Sequence, residues 1–146
     1  MRRSIPVLFL SLASLAVGTL PAEAYPIPPR TIWQQTAEST TVVLARVVSV
    51  REPETKQTTA EADFTFLDSI ATLEVAETWK GSAPKIVEVS FPAHLGCPAP
   101  PRYVPGQEVV AFLVREKDLW QTVGLSYGTL YPARGEVADY REMVAR

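Results

Sequence analysis

The sequence predicts a small, mainly β protein: a closed barrel of five antiparallel strands with a short helix near each end. Three observations predict it. Five apolar or alternating runs are separated by turn signals, the pattern of a small barrel or sandwich. Helical spacing of apolar residues is confined to two short stretches. The chain of 146 residues holds one cysteine, so no internal disulfide is available and closure of the sheet must rest on packing.

The first 24 residues stand outside that fold. They begin MRRSIPVLFLSLASLAVGTLPAEA. Arg2 and Arg3 form a positive start, and an apolar run follows from about residue 5 to 17. That run is shorter than the roughly 20 residues a membrane span needs. Ala22-Glu23-Ala24 is a small-residue cleavage pattern, with Tyr25 as the new N-terminus. The order of charge, apolar run and cleavage site predicts a signal peptide over 1–24, and export to the periplasm or the exterior. Residues 25–146 then form a single domain, with no integral membrane segment after cleavage.

The elements follow in order. Tyr25-Pro26-Ile27-Pro28-Pro29-Arg30 is a stiff, extended arm, because proline fixes φ and removes donors. Residues 31–40 read as a short helix capped by Thr31, with Ile32, Trp33 and Thr36 on one face. Residues 41–50, TVVLARVVSV, are the strongest strand: rich in β-branched residues, free of glycine and proline, and mostly apolar on both faces. Residues 51 to about 63 read as a long polar connection. Phe64 and Phe66 alternate at its end, where the next strand begins. Residues 69–79 alternate apolar and polar side chains, and Lys80-Gly81-Ser82 turns the chain. Residues 85–91 are a third strand, with Val87, Val89 and Phe91 inward. Residues 92–105 hold five prolines, which no strand or helix interior tolerates, and Pro105-Gly106 marks a turn with glycine at positive φ. Residues 107–115 and 119–125 are the fourth and fifth strands, around the charged turn Glu116-Lys117-Asp118. From Glu136 onward, Val137, Tyr140 and Val144 fall at helical spacing.

Charge excludes some partners. There are 14 lysines and arginines against 16 acidic residues, a net charge of −2, with no block of one sign. A nucleic-acid protein needs a basic stripe, and a polybasic membrane patch is equally missing.

The only histidine and only cysteine, His94 and Cys97, share the proline-rich stretch HLGCPAPPRYVPG. A c-type haem needs a second cysteine. A zinc site needs three or four ligands, and the loop supplies two. A cysteine nucleophile needs a base oriented toward it. The reading is a rigid loop that carries both residues, with a thiol open to an intermolecular disulfide and hence a linked dimer. The pairs Glu74/Glu77 and Glu61/Asp63 read as solvated surface charge. Trp33, Trp79, Trp120, Tyr103 and Tyr127 read as packing residues before a ligand platform. No catalytic set, cofactor motif or metal set emerges.

Three stretches resemble a known family. VVLARVVSV (42–50), ATLEVAETWKG (71–81) and Cys97 followed by VPGQEVVAFL (104–113) resemble bacterial secreted domains similar to tissue inhibitors of metalloproteinases, of the netrin-like type. The resemblance covers about residues 31–125. It implies a five-stranded barrel of the OB type. It does not bring the animal inhibitors' zinc-chelating N-terminal cysteine, since Tyr25-Pro26 stands at the predicted start.

The expectation is therefore a secreted, non-catalytic binding module that contacts a protein or envelope component through barrel loops. Binding residues concentrate on loops held by a rigid scaffold. Those singled out are Tyr25 on the arm, Phe64 and Phe66 in the first connection, and His94, Cys97, Arg102 and Tyr103 in the second. The alternatives are a metalloprotease inhibitor acting through the arm and a thiol-dependent redox protein at Cys97.

Overall fold

The structure, a computed structural model, describes residues 30–52, 69–93, 99–116 and 118–146. Their elements are α1 (Ile32–Glu38), β1 (Thr41–Arg51), β2 (Ser69–Lys80), β3 (Ile86–Phe91), β4 (Glu108–Glu116), β5 (Leu119–Thr122), β6 (Thr129–Leu130) and α2 (Val137–Ala145). A 3-10 turn over Leu125–Gly128 separates β5 from β6. The predicted arm, the predicted signal peptide, Phe64, Phe66, His94 and Cys97 lie outside the described residues.

The strands run β1-β2-β3-β5-β4, and β4 pairs back onto β1, which closes a five-stranded barrel. One expectation is corrected. The barrel is not purely antiparallel: β3 and β5 run parallel, joined at Val89↔Trp120 and Ser90↔Gln121. The reason is the connection between β3 and β4. It carries the chain across the barrel to pair β4 with β1, and the β4–β5 hairpin then delivers β5 alongside β3. The predicted fifth strand also ends early, at Thr122, because Gly124 adopts φ +69 and turns the chain.

β1 is buried on both faces only in its first part. Val43, Ala45 and Val47 join Ala71, Leu73, Val87, Val89, Val109, Ala111 and Leu113 in the barrel interior. Val42 and Leu44 point outward into a second cluster with Val110, Phe112, Val123 and Val144, where Ile32, Trp79 and Val137 cover them. That second cluster is why two helices are needed: they shelter the apolar outer face of β1 and β4. Beyond Arg46 the outer face is uncovered, and Val48 is 52% exposed. The register of β1 against β2 shifts between Val42 and Val43, Leu44 and Ala45, and Val47 and Ser49, as it does where a strand carries bulges.

Side chains from the end of β2 fasten the helices. Lys80 Nζ donates to the carbonyls of Thr36 and Ser39 at the end of α1. Glu77 accepts two bonds from Arg141 of α2, at 2.7 and 2.6 Å, and one from Trp79 Nε1 at 2.9 Å. The bonds from Trp79 and then Arg141 hold the Glu77 carboxyl below the usual carboxylate range. Arg141 also lies 5.9 Å from the centre of the Trp79 ring.

Candidate functional site

The loop-bearing end of the barrel is built by register. Arg51, the last residue of β1, pairs with Ile70, and Ser69 pairs with Phe91, the last residue of β3. The two long connections thus leave from neighbouring strand ends. The returning part of the second connection, residues 99–104, is tied down on the other side. Ser126 N donates to the Ala99 carbonyl (3.3 Å) and Arg102 N to Thr129 Oγ1 (3.4 Å), and Tyr131 Oη donates to the Arg102 carbonyl. Pro105-Gly106 then turns into β4, with Gly106 at φ +84 and Gln107 N bonded to the Val104 carbonyl.

Tyr103 explains why this segment lies where it does. β3 and β5 pair over two residues, so the barrel has a short seam there. The Tyr103 ring fills it, 7% exposed, with its centre 5.0 Å from that of Phe91 on β3. Its hydroxyl lies 2.6 Å from Thr122 Oγ1 on β5. Burial raises the Tyr103 phenol far above its ordinary value and keeps it neutral. Burial also raises Tyr131. The sequence offered Tyr103 both as a packing residue and as a binding candidate; its ring is packed in the core. Arg102 is exposed beside it, at the loop-bearing end.

The chain preceding α1 reaches the same region. A Cβ built on Gly124 would meet Arg30 Cδ at 3.1 Å, so Arg30 lies against the turn whose Ser126 holds Ala99. Arg30 also pairs with Glu38 at the far end of α1. On the barrel wall, Arg51 pairs with Glu88 across β2 at 3.0 Å. Sequence reasoning missed the 122–131 stretch, which anchors both the second connection and Arg30. Its signal was present: Gly124 and Gly128 fall four residues apart just after the predicted fifth strand's core.

The aromatic residues do not gather into one platform. Tyr103 and Trp120 belong to the interior, Trp79 to the outer cluster, and Trp33 is 47% exposed on α1. Glu74 and Glu77 also part company. Glu74 lies 3.8 Å from Lys85 Nζ, while Glu77 serves the clasp on α2. An open groove of about 490 Å³ runs past Arg46, Glu74, Lys85, Gly106 and Glu108. Arg46 stands in register between Glu74 and Glu108, so the groove carries balanced charge. Among the described residues no three of His, Cys, Asp and Glu are grouped to hold a metal ion, and no helix is long and apolar enough to cross a membrane. No protein-family model matches the chain, and no curated protein matches it at a significant level.

Proposed function

We propose that this chain is a secreted, non-catalytic binding module, and that it contacts a protein or envelope partner through the loop-bearing end of its barrel. The observation that carries the reading is the gathering at that end. The two long connections leave from the neighbouring strand ends at Arg51 and Phe91, Ala99 and Arg102 are tied to the 122–131 stretch, and Arg30 lies against Gly124. A barrel closed without disulfides is a rigid frame, and frames of this kind present loops for recognition. Export follows from the signal pattern at 1–24, and the netrin-like resemblance agrees with it.

The test uses the full chain expressed in an exporting host. N-terminal sequencing of the exported protein should begin at Tyr25. Affinity capture from the native exterior should retain a partner with the wild-type chain. Capture should be lost when residues 94–98 are replaced by a glycine-serine stretch, and kept with Glu142→Gln on the exposed side of α2. Capture unaffected by the loop replacement would end the proposal.

A second reading, a metalloprotease inhibitor acting through the N-terminal arm, is favoured by one observation: Arg30, which follows the arm in sequence, lies against Gly124 in the stretch that ties down Ala99 and Arg102. Titration of the exported protein against secreted metalloproteases decides it, and no inhibition at micromolar concentration would dismiss it.

A further inference from the structure

The helix α1 is docked with its polar side inward. Its one fully buried residue is Gln35, 2% exposed. Among the described residues, neither Oε1 nor Nε2 of Gln35 has a hydrogen-bond partner, and neither does the buried Thr36 Oγ1. Ser39, also buried, turns its hydroxyl back onto the Thr36 carbonyl at 3.0 Å. Trp33, the largest apolar side chain of the helix, is 47% exposed, and Ile32 is only partly covered. A helix on a barrel ordinarily buries its apolar stripe and exposes its polar one. Here the arrangement is reversed.

The ground beneath Gln35 is strained as well. A Cβ on Gly124 would lie 2.7 Å from Gln35 Oε1 and 3.0 Å from Nε2, so the amide occupies the space a side chain at 124 would need. The next residue, Leu125, holds φ 54, a left-handed conformation in a residue with a Cβ.

What fastens α1 is peripheral. Thr31 and Gln34 form a capping box, Arg30 pairs with Glu38, and Lys80 Nζ reaches the two carbonyls at the helix end. Water can take over each of these contacts. The barrel interior takes no residue from α1.

We propose that α1 is a detachable cover: it opens from the barrel as a unit in the native state while the barrel stays closed. Opening hydrates the Gln35 amide and the Thr36 hydroxyl, which have no partner among the described residues when docked. It also bares the side of the outer cluster against which Ile32 packs, a surface available only in the open form.

Native-state hydrogen exchange on the full chain tests this. The amides of Gln35 and Ser39, bonded to the Thr31 and Gln35 carbonyls, should exchange at least about 100-fold faster than those of Val43 and Ala45. Their rates should rise together with low denaturant, less steeply than those of Val43 and Ala45, because detaching α1 bares less surface than opening the barrel. Gln35→Met keeps the length and removes the unpaired groups; it should slow exchange in α1 about tenfold. Lys80→Met should speed it, with the β1 amides still protected. Exchange in α1 at the rate of the β1 amides, or no slowing with Gln35→Met, would overturn the proposal.

Discussion

Replacing Tyr103 tests whether one side chain seals the barrel. Its ring lies between β3 and β5 where those strands share two residue pairs, and its hydroxyl meets Thr122 at 2.6 Å. Tyr103→Phe keeps the ring and removes that bond. Thr122 is only half-buried, so water can take over its hydroxyl, and the cost should be about 1 kcal/mol. Tyr103→Ala also removes the ring and its contact with Phe91, which should cost about 3–5 kcal/mol. A domain of this size has about 5–15 kcal/mol in all, so the alanine variant loses a large share. Urea unfolding measures both, with the midpoint moving and the slope unchanged. The pH dependence supplies a separate check. Burial raises the Tyr103 phenol above its unfolded value. Its stabilising contribution is therefore complete below the unfolded value of about 10 and is lost as pH rises beyond it. Tyr103→Phe should flatten that alkaline loss. If Tyr103→Ala cost less than about 1 kcal/mol, the seam would not depend on this ring.

Three further outcomes are expected. Glu77→Gln should loosen α2 and cost about 0.5–1 kcal/mol in thermal unfolding, with the difference shrinking in high salt, because the carboxylate is 41% exposed. Since the Glu77 carboxyl is held below its ordinary value of about 4.5, its contribution is present above that value and is lost as pH falls through the lower folded value. The wild type and Glu77→Gln should thus converge in strong acid. Gly81→Ala should destabilise clearly in the same assay, because Gly81 sits at φ +70 and a Cβ there would come within 2.2 Å of the Thr40 carbonyl oxygen. Leu73→Ala, fully buried in the barrel, should cost about 2–5 kcal/mol, whereas Val48→Ala at 52% exposure should stay within about 0.5 kcal/mol of wild type.

The strands and their turns were legible because they are local. Alternation along β2 and β3 sorts inward from outward side chains without knowledge of any neighbour. Gly81 and Gly106 take the positive φ that their turns require. Thr31 caps α1 with Gln34 three residues on, a pattern held within four positions. The faces of α1 were read differently from the structure, with Ile32, Trp33 and Thr36 expected together. A seven-residue helix spans too few turns for periodicity to choose its buried side, and the surface beneath it decides instead.

Of the site, the sequence pointed to the loop segments but not to what anchors them. Arg102 could be placed at the loop-bearing end only once Thr129 and Tyr131 were seen to hold its backbone. By itself the sequence determined the strands, the two helices, the turn glycines and the want of a disulfide, since each is set by residues within a few positions. Only the tertiary structure decided that β5 runs parallel to β3, that the Tyr103 ring packs against Phe91 and Thr122, and that α1 buries Gln35 with no partner among the described residues. Those depend on which strand ends meet when the sheet closes. Closure brings together residues distant in sequence, from Phe91 and Tyr103 through Val89 and Trp120 to Gln35 and Gly124, and no local pattern carries that information.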